Sequence, residues 1–381
     1  MNRSRNQNRN RTERSDKDQS KSIWILISIL IMSKSSDLFR FSIIQVSFVT
    51  MQFFLRKHVF SLLLFAVVGL AVAFPEPVST GGLLDSDWTT KLGVSMIFFL
   101  QGLSLSTQSL AAGYRPLRLH GFVLSWNFLW LPAVAFLLLY PMSRILSVEL
   151  LLGFGALVFL PTTIASANAY TAISGGNVAN AIVSTTLSNL LAVFVVPAVA
   201  IVYFKLERSI EIPLGRVLLS LAYMLIIPLV LGQVVQWLIR PNVDTVSKIT
   251  RQMSAGITLL IVYLAFARSM NAEIFEGISF ESLALILFAV VLLLLVTSAF
   301  VWKSTVWVNL DMAQRIAAFY CASQKSLAAG LPLISSILLV IPEMQDMAMI
   351  FIPLLCFHPS QMLLAGIVAA QLKQKDTIIG V

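Results

Sequence analysis

Residues 321–332 read CASQKSLAAGLP, and this polar segment interrupts one long apolar stretch. The apolar run RIAAFY (315–320) precedes it, and the run LISSILLVI (333–341) follows it. The fifth residue of the segment is Lys325, which brings a positive charge into apolar surroundings. A charged side chain inside a membrane span is costly, and it usually has a functional role. The fold therefore depends on whether this stretch crosses a membrane.

The composition is that of a membrane protein with several spans. Of the 381 residues, 57% are hydrophobic and only 12% are charged, and the mean hydropathy is +0.85. A soluble domain has roughly 25% charged residues. The net charge of +9 comes from basic residues scattered between apolar runs and along the N-terminal tail, so it does not indicate a nucleic-acid partner. We interpret these charges as signals of orientation in a lipid bilayer.

The two cysteines, Cys321 and Cys356, both lie in apolar runs. They are too few for the four-ligand cluster of a structural zinc site, and their surroundings do not indicate a disulfide framework. We expect both to be reduced and buried. No cofactor is predicted, and the one candidate metal is a sodium ion.

Ten apolar segments after residue 51 are long enough to cross the hydrocarbon core, which takes about 20 residues. The runs are continuous and lack strict alternation, which excludes the strands of a barrel. The predicted spans are 58–74, 91–112, 118–140, 147–172, 178–204, 216–239, 252–268, 282–302, 315–339 and 346–372. The sequence therefore predicts an all-α polytopic membrane protein.

The loops between these spans indicate the orientation of the protein. Cytoplasmic loops are richer in Lys and Arg than external loops. One side of the predicted layout carries eleven Lys and Arg, and the other side carries six. The richer side holds the start of the first span and the C-terminus, so we predict a cell (inner) membrane protein with both termini cytoplasmic. Lys325 is then the only charged residue in the interior of a predicted span.

Residues 1–50 differ from the rest of the chain. Their first part is polar and of disordered character, and the apolar run SIWILISILIM (22–32) is too short to cross a membrane. We predict an N-terminal extension over 1–50, with functional translation starting at Met51. The ten-span transport domain is predicted over 51–381, with a first repeat at 51–210 and a second at 211–375.

Spans four and nine are both interrupted near their middle. Pro161 lies in span four and Pro332 in span nine, and proline kinks or interrupts a helix. The polar residues beside the breaks are Thr162, Thr163, Ser166, Asn168, Ser323, Gln324, Lys325 and Ser326. One such span is common in membrane proteins, because neighbouring helices satisfy the freed backbone groups. Two of them, each fourth in a five-span half, predict an inverted repeat whose broken helices bind substrate and ions near the midplane.

A polar stripe follows one face of span five, because its residues recur every three or four positions. The stripe consists of Asn177, Asn180, Ser184 and Ser188, widened by Thr185 and Asn189. It either lines a cavity, which we favour, or forms hydrogen bonds between helices. His58 and His120 are expected at membrane interfaces, and His358 either faces a pore or packs against a neighbouring helix.

Five motifs together resemble the bile acid:sodium symporter family, and more closely its orphan branch related to the seventh human member of solute carrier family 10. They are FFLQGLSL (98–105), FLPTTIASA (159–167), GGNVANAIVSTTLSN (175–189), CASQKSL (321–327) and FHPSQMLL (357–364). The similarity runs from about residue 55 to 373. It implies ten transmembrane helices as two inverted five-helix repeats, with broken helices four and nine, arranged in a panel domain and a core domain.

The resemblance also implies sodium-binding positions, some of which have changed in this chain. The positions that match, or that carry a stand-in residue, are Asn127, Ser166, Thr185 and Gln324. The departures are Ala167 for an Asn, with Asn168 beside it, Ala181 for a hydroxyl residue, Tyr320 for a Glu, and Lys325 for a neutral residue. Two unit positive charges about 4 Å apart repel by roughly 4 kcal/mol at an effective dielectric near 20. We therefore expect that the two family sodium sites do not both survive.

Three hypotheses for Lys325 remain open. Its side chain could extend to a membrane interface. Its ammonium could instead replace a sodium ion and tie together Gln324, the span-four hydroxyls and the carbonyl ends of the broken helices. In the third hypothesis Lys325 is the coupling element, which loses and regains a proton in each cycle or holds an anionic substrate.

The predicted function is secondary active transport of a small organic anion by alternating access, with sodium or a proton as the coupling ion. The alternative is a membrane regulator without transport activity, for example of calcium homeostasis. An enzyme is not predicted, because the spans contain no catalytic motif of a hydrolase. The candidate substrate- and ion-binding residues are Asn127, Thr162, Thr163, Ser166, Asn168, Asn180, Ser184, Thr185, Ser188, Tyr320, Ser323, Gln324, Lys325, Ser326 and His358.

Overall fold

The computed structural model describes residues 59–60, 62–78, 86–104, 113–208, 214–239, 243–271, 280–340 and 348–379. Within these ranges all regular structure is helical. The chain from residue 63 onward forms one compact unit. The predicted extension at 1–50, the start at Met51 and His58 lie outside the described residues, so the predicted domain boundaries stay a prediction.

The helices follow one another with short turns between them. In the first part of the chain they are α1 (Leu62–Ala73), α2 (Ser86–Ser104), α3 (Leu117–Ser125), α4 (Leu131–Leu139), α5 (Val148–Phe159), α6 (Ile164–Ile173) and α7 (Val178–Arg208). In the second part they are α8 (Leu214–Leu221), α9 (Ile227–Ile239), α10 (Val243–Asn271), α11 (Phe280–Ser304), α12 (Met312–Ser323), α13 (Leu327–Val340) and α14 (Ile352–Ile379). Turns of π-helix occupy Trp126–Trp130 and Ala222–Ile226, and 3-10 turns occupy Glu76–Val78, Tyr140–Arg144, Thr305–Val308 and Ala348–Phe351.

Most of this helical structure is long and apolar enough to cross a membrane. Seven stretches among the described residues qualify, and α5 with α6 would form an eighth that is bent by 55°. The helix α1 is apolar but shorter than these stretches. The predicted class of an all-α polytopic membrane protein is therefore confirmed, whereas the count of ten spans and the inverted repeat stay predictions.

The first break separates α5 from α6 and is explained by its sequence. The hydroxyl of Ser147 caps the start of α5 by accepting a hydrogen bond from the backbone N–H of Leu150 at 3.4 Å. The helix stops before Leu160, which is extended at φ −62° and ψ 151°. Pro161 follows, and a residue before proline is driven out of the helical region. Proline thus accounts for this break, as predicted.

The second break separates α12 from α13, and proline does not cause it. Asp311 and Gln314 form a capping box at the start of α12, and Gln324 beyond its end is extended at φ −99° and ψ 148°. The helix resumes at Leu327, where the hydroxyl of Ser326 accepts a hydrogen bond from Ala329 N–H at 3.1 Å. Pro332 lies inside α13. The prediction that Pro332 interrupts span nine is therefore wrong, since the break comes earlier, at residues 324–326.

The two breaks meet each other. The backbone N–H of Ser326 donates a hydrogen bond to the carbonyl oxygen of Pro161 at 2.8 Å. We call residues 160–163 and 324–326 together the crossing. It lies in the protein interior, because Leu160, Gln324 and Lys325 are all buried. The crossing is thus a place where two stretches of non-helical backbone need hydrogen-bond partners from the protein itself.

A separate feature is the close approach of α2 and α9, which pack along each other. Two glycines allow it. A Cβ atom at Gly102 would overlap the carbonyl oxygen of Leu229, and a Cβ atom at Gly232 would overlap the carbonyl oxygen of Phe99. Small residues let membrane helices approach closely in this way.

We expect Gly102→Ala and Gly232→Ala each to lower the free energy of unfolding by about 1–3 kcal/mol, the typical cost of overpacking. The obstacle is backbone in both cases, so a side-chain rotation cannot relieve it. The measurement is equilibrium unfolding in mixed micelles. The matched control is Gly256→Ala in α10, where an added Cβ has no atom within 4 Å. Equal stabilities for the three variants would contradict the proposed contact.

Candidate functional site

Lys325 lies at the centre of the crossing with 0% of its surface exposed. Its ammonium Nζ donates hydrogen bonds to the carbonyl oxygen of Leu160 at 2.7 Å, and to the carbonyl oxygen and the Oδ1 of Asn127 at 3.2 and 3.4 Å. An ammonium group has three N–H donors and no acceptor, so three oxygens satisfy it completely. The hypothesis that Lys325 extends to an interface is therefore wrong.

The backbone of Lys325 is held by Gln361 of α14. The Oε1 of Gln361 accepts a hydrogen bond from Lys325 N–H at 2.7 Å, and its Nε2 donates to the Lys325 carbonyl oxygen, also at 2.7 Å. Gln361 is 1% exposed. One side-chain amide thus satisfies both backbone groups of a residue that lies between two helices.

Asn127 connects the ammonium to two further elements. It lies in the π-helical turn between α3 and α4 and is 0% exposed. While its Oδ1 accepts from Lys325, its Nδ2 donates to the hydroxyl of Ser188 at 3.1 Å and to the carbonyl oxygen of Cys321 at 3.3 Å. A π-helical turn is rare and often marks a functional site. The side chain of Asn127 therefore joins α7 and α12 to the crossing.

The first break is held by α7 through two side chains. The hydroxyl of Ser188 accepts a hydrogen bond from Thr162 N–H at 3.2 Å. The Nδ2 of Asn189 donates to the carbonyl oxygens of Thr162 and Thr185, both at 2.8 Å. The polar stripe of span five thus acts at this point through contacts with other backbone, not as the wall of an open cavity.

One side-chain hydrogen bond joins the two broken helices directly. The hydroxyl of Ser166 donates to the Oε1 of Gln324 at 2.8 Å. Ser166 is partly exposed, whereas Gln324 is 2% exposed. Among the described residues, the Nε2 of Gln324, the Oγ1 of Thr162 and the Oδ1 of Asn168 are buried without a hydrogen-bond partner. These three atoms retain hydrogen-bonding capacity near the breaks.

Other predicted site residues have their partners elsewhere. Tyr320 shares a hydrogen bond of 2.9 Å with the hydroxyl of Ser174, and its ring stacks on Tyr170 at 5.7 Å. The hydroxyls of Thr185 and Ser323 donate within their own helices, to Ile182 and Phe319. The remaining partners of the polar stripe are the Gly113 and Arg115 carbonyl oxygens for Asn180, and His120 for Ser184. These residues do not contact Lys325.

The histidines differ from expectation in one case. His120 is 3% exposed, with Nδ1 at 2.8 Å from the Ser184 hydroxyl and Nε2 at 3.0 Å from the Gly113 carbonyl oxygen, so its interfacial placement is wrong. His358 is partly exposed, and its Nδ1 lies 3.1 Å from the Nε2 of Gln361. His358 therefore contacts the residue that holds Lys325.

Sequence reasoning found Lys325 but not its main partner. Gln361 lies in the motif FHPSQ, three residues after His358 and on the same face of α14. A buried Gln in an apolar helix was a usable signal. The predicted bonds from the ammonium to Gln324 and to the span-four hydroxyls are not formed, whereas the predicted bond to the carbonyl end of a broken helix is formed, at Leu160.

The electrostatics of the crossing are set by Lys325. No Asp or Glu is buried among the residues whose exposure the structure describes. Within the same described part of the chain, no three His, Cys, Asp or Glu side chains form a group that could hold a metal ion. Cys321 and Cys356 are both free, and Cys321 is buried while Cys356 is partly exposed. The crossing is therefore a buried site with one positive charge that is balanced only by dipoles.

Comparison with known proteins places these features in a wider group. A sequence profile of the SBF-like CPA transporter family matches residues 58–374. The uncharacterized protein PA2026 of Pseudomonas aeruginosa is 31% identical over 317 residues, covering 81% of this chain and 91% of the relative. Sodium/bile acid cotransporter 7 of Danio rerio is 29% identical over 324 residues, covering 84% and 94%, and that of Mus musculus is 28% identical over 323 residues, covering 84% and 93%. The profile match includes both breaks and Lys325.

Proposed function

The chain belongs to the SBF-like CPA transporter family, and we propose that it moves a small organic anion across the membrane as a secondary active transporter. The resemblance to the bile acid:sodium symporter family is confirmed by the relatives named sodium/bile acid cotransporter 7. The family is one of transporters and not of enzymes. In this proposal transport proceeds by alternating access, and the driving ion is sodium or a proton.

The observation that carries the proposal is the crossing itself. In transporters with broken helices, the freed helix ends near the midplane bind substrate and ions. Here α6 and α13 both begin at the crossing, and the N-terminus of a helix favours negative charge. The buried ammonium of Lys325 adds a positive charge, and no described carboxylate is buried to oppose it. These features favour an anionic solute.

We propose that its fold comprises ten spans in two inverted five-helix repeats, divided into a panel and a core domain. The support is the likeness of the two broken helices. In each, a capped first segment (α5 or α12) ends at the crossing and a second segment (α6 or α13) follows. The basic residues of the loops support cytoplasmic termini and placement in the cell (inner) membrane.

The test of the function is uptake into proteoliposomes. The purified chain would be reconstituted and given a panel of radiolabelled organic anions under a sodium gradient, under a proton gradient, and with neither. We expect at least one anion to accumulate under one of the two gradients and not without a gradient. Absence of flux under every condition would favour the membrane regulator.

Ser166 and Gln324 are the candidates for contact with the solute. The hydroxyl of Ser166 fixes the amide of Gln324 through its Oε1, and Nε2 remains a donor that suits an anionic oxygen. We expect Ser166→Ala and Gln324→Ala each to reduce kcat/KM for uptake about tenfold or more, since a hydrogen bond to a charged group contributes about 1.5–3 kcal/mol.

The matched control for these variants is Ser125→Ala in α3. The Ser125 hydroxyl bonds only its own helix in the structure, donating to the Phe122 carbonyl oxygen at 2.9 Å. This variant should transport like the wild type. If all three variants transport equally, the solute does not contact the Ser166–Gln324 pair.

A further inference from the structure

The three oxygens around the Lys325 ammonium resemble the ligands of a monovalent cation. They are the carbonyl oxygens of Leu160 and Asn127 and the Oδ1 of Asn127, and we call them the oxygen cage. Leu160 is the residue at which α5 ends, so its carbonyl points out of a half-helix C-terminus. Carbonyls of unwound backbone and of half-helix C-termini are the groups that coordinate coupling cations in transporters with broken helices.

The cage already holds a cation that cannot leave. The ammonium of Lys325 is covalently attached, its side chain is fully buried, and its backbone is fixed on both sides by Gln361. A second cation in the cage would be repelled by the ammonium, and no described carboxylate is buried to offset that repulsion. The residues at the crossing therefore do not fit a sodium ion bound to the cage while Lys325 is charged.

We propose that Lys325 is a tethered cation occupying a monovalent-cation site at the crossing, so that the wild-type chain binds no sodium there. Removing the end of the side chain would uncover that site. A free cation could then enter the cage and restore the hydrogen-bonding or electrostatic balance of its three oxygens. As a statement about the coupling ion, this inference rests on the proposed function, but cation binding can be measured without transport.

The variant that uncovers the cage is Lys325→Ala. The missing atoms correspond to n-propylammonium, which can supply both the apolar stem and the ammonium group. The purified variant would be heated in n-propylammonium, sodium, lithium or potassium chloride, and in choline chloride at the same ionic strength as the reference. Unfolding would be followed by tryptophan fluorescence.

We expect n-propylammonium and at least one alkali cation to raise the apparent Tm of Lys325→Ala above its value in choline. A ligand at about five times its Kd should raise it by about 2–4 °C. The rise should saturate with concentration. The wild type should have the same Tm in sodium and in choline, and so should the control Lys303→Ala, which removes an exposed lysine of α11.

Lys325→Arg is the second variant, because it keeps a tethered cation and does not depend on recovering the alanine variant. We expect it to fold and to be as insensitive to sodium as the wild type. Stabilisation of the wild type or of Lys325→Arg by sodium over choline would overturn the proposal. So would a Lys325→Ala variant that is folded but unaffected by every cation tested. Neither result depends on flux, so failure of the inference can be distinguished from failure of the proposed function.

Discussion

Replacing Lys325 with methionine is expected to lower the free energy of unfolding by about 3–5 kcal/mol. Methionine fills much of the same space but provides no hydrogen-bond donor. The three oxygens around the ammonium, from Leu160 and Asn127, would remain buried without it. Each unsatisfied group costs about 1–3 kcal/mol, and the relief from burying a charge offsets only part of the sum.

The measurement is equilibrium unfolding of Lys325→Met in mixed micelles, followed by tryptophan fluorescence. The control is Lys303→Met, the same substitution at an exposed position of α11, which should change the free energy of unfolding by less than about 0.5 kcal/mol. If Lys325→Met is as stable as the wild type, the ammonium does not hold the crossing together. Lys325 would then have to be kept for another reason, such as proton transfer.

Replacing Gln361 with leucine should have the second large effect, a loss of about 2–5 kcal/mol in the free energy of unfolding. Both hydrogen bonds between Gln361 and the Lys325 backbone would be lost. The N–H and the carbonyl of Lys325 lie between two helices, and no helical partner replaces them. Leucine fills the space but can neither donate nor accept.

The control for this variant is Gln371→Leu, at an exposed position ten residues further along the same helix. It makes the same chemical change without removing a bond to the crossing, so we expect little loss of stability. Hydrogen exchange adds a local readout. In Gln361→Leu the amide of Lys325 should exchange faster than in the wild type, and unchanged exchange would contradict the role assigned to Gln361.

Residue types predicted the crossing better than they predicted its contacts. Pro161 identified the first break, because the effect of proline on the preceding residue is local. Pro332 misplaced the second break, because that break depends on bonds from Ser326 to Pro161 and from Lys325 to Gln361. Such bonds join residues that are far apart in sequence, and they depend on how helices are oriented against one another.

The same reasoning explains the errors in the candidate site. The spacing of Asn180, Ser184 and Ser188 correctly put them on one helix face, but that face contacts different neighbours along its length. Only Ser188 reaches the network around Lys325. Tyr320 was included through the family resemblance, and it contacts Ser174 instead. Sequence periodicity gives the direction of a side chain relative to its own helix, not the identity of the group it meets.

The hydrogen bond from Ser326 to Pro161 has a mechanical and an evolutionary consequence. Both bonded atoms belong to the main chain, so exchanging side chains at these positions does not by itself delete the bond. The exception is proline at position 326, which would remove the N–H. The linkage can thus persist while the surrounding side chains diverge. It also means that neither broken helix can shift at this point without pulling the other, so the two should travel as one lever during a transport cycle.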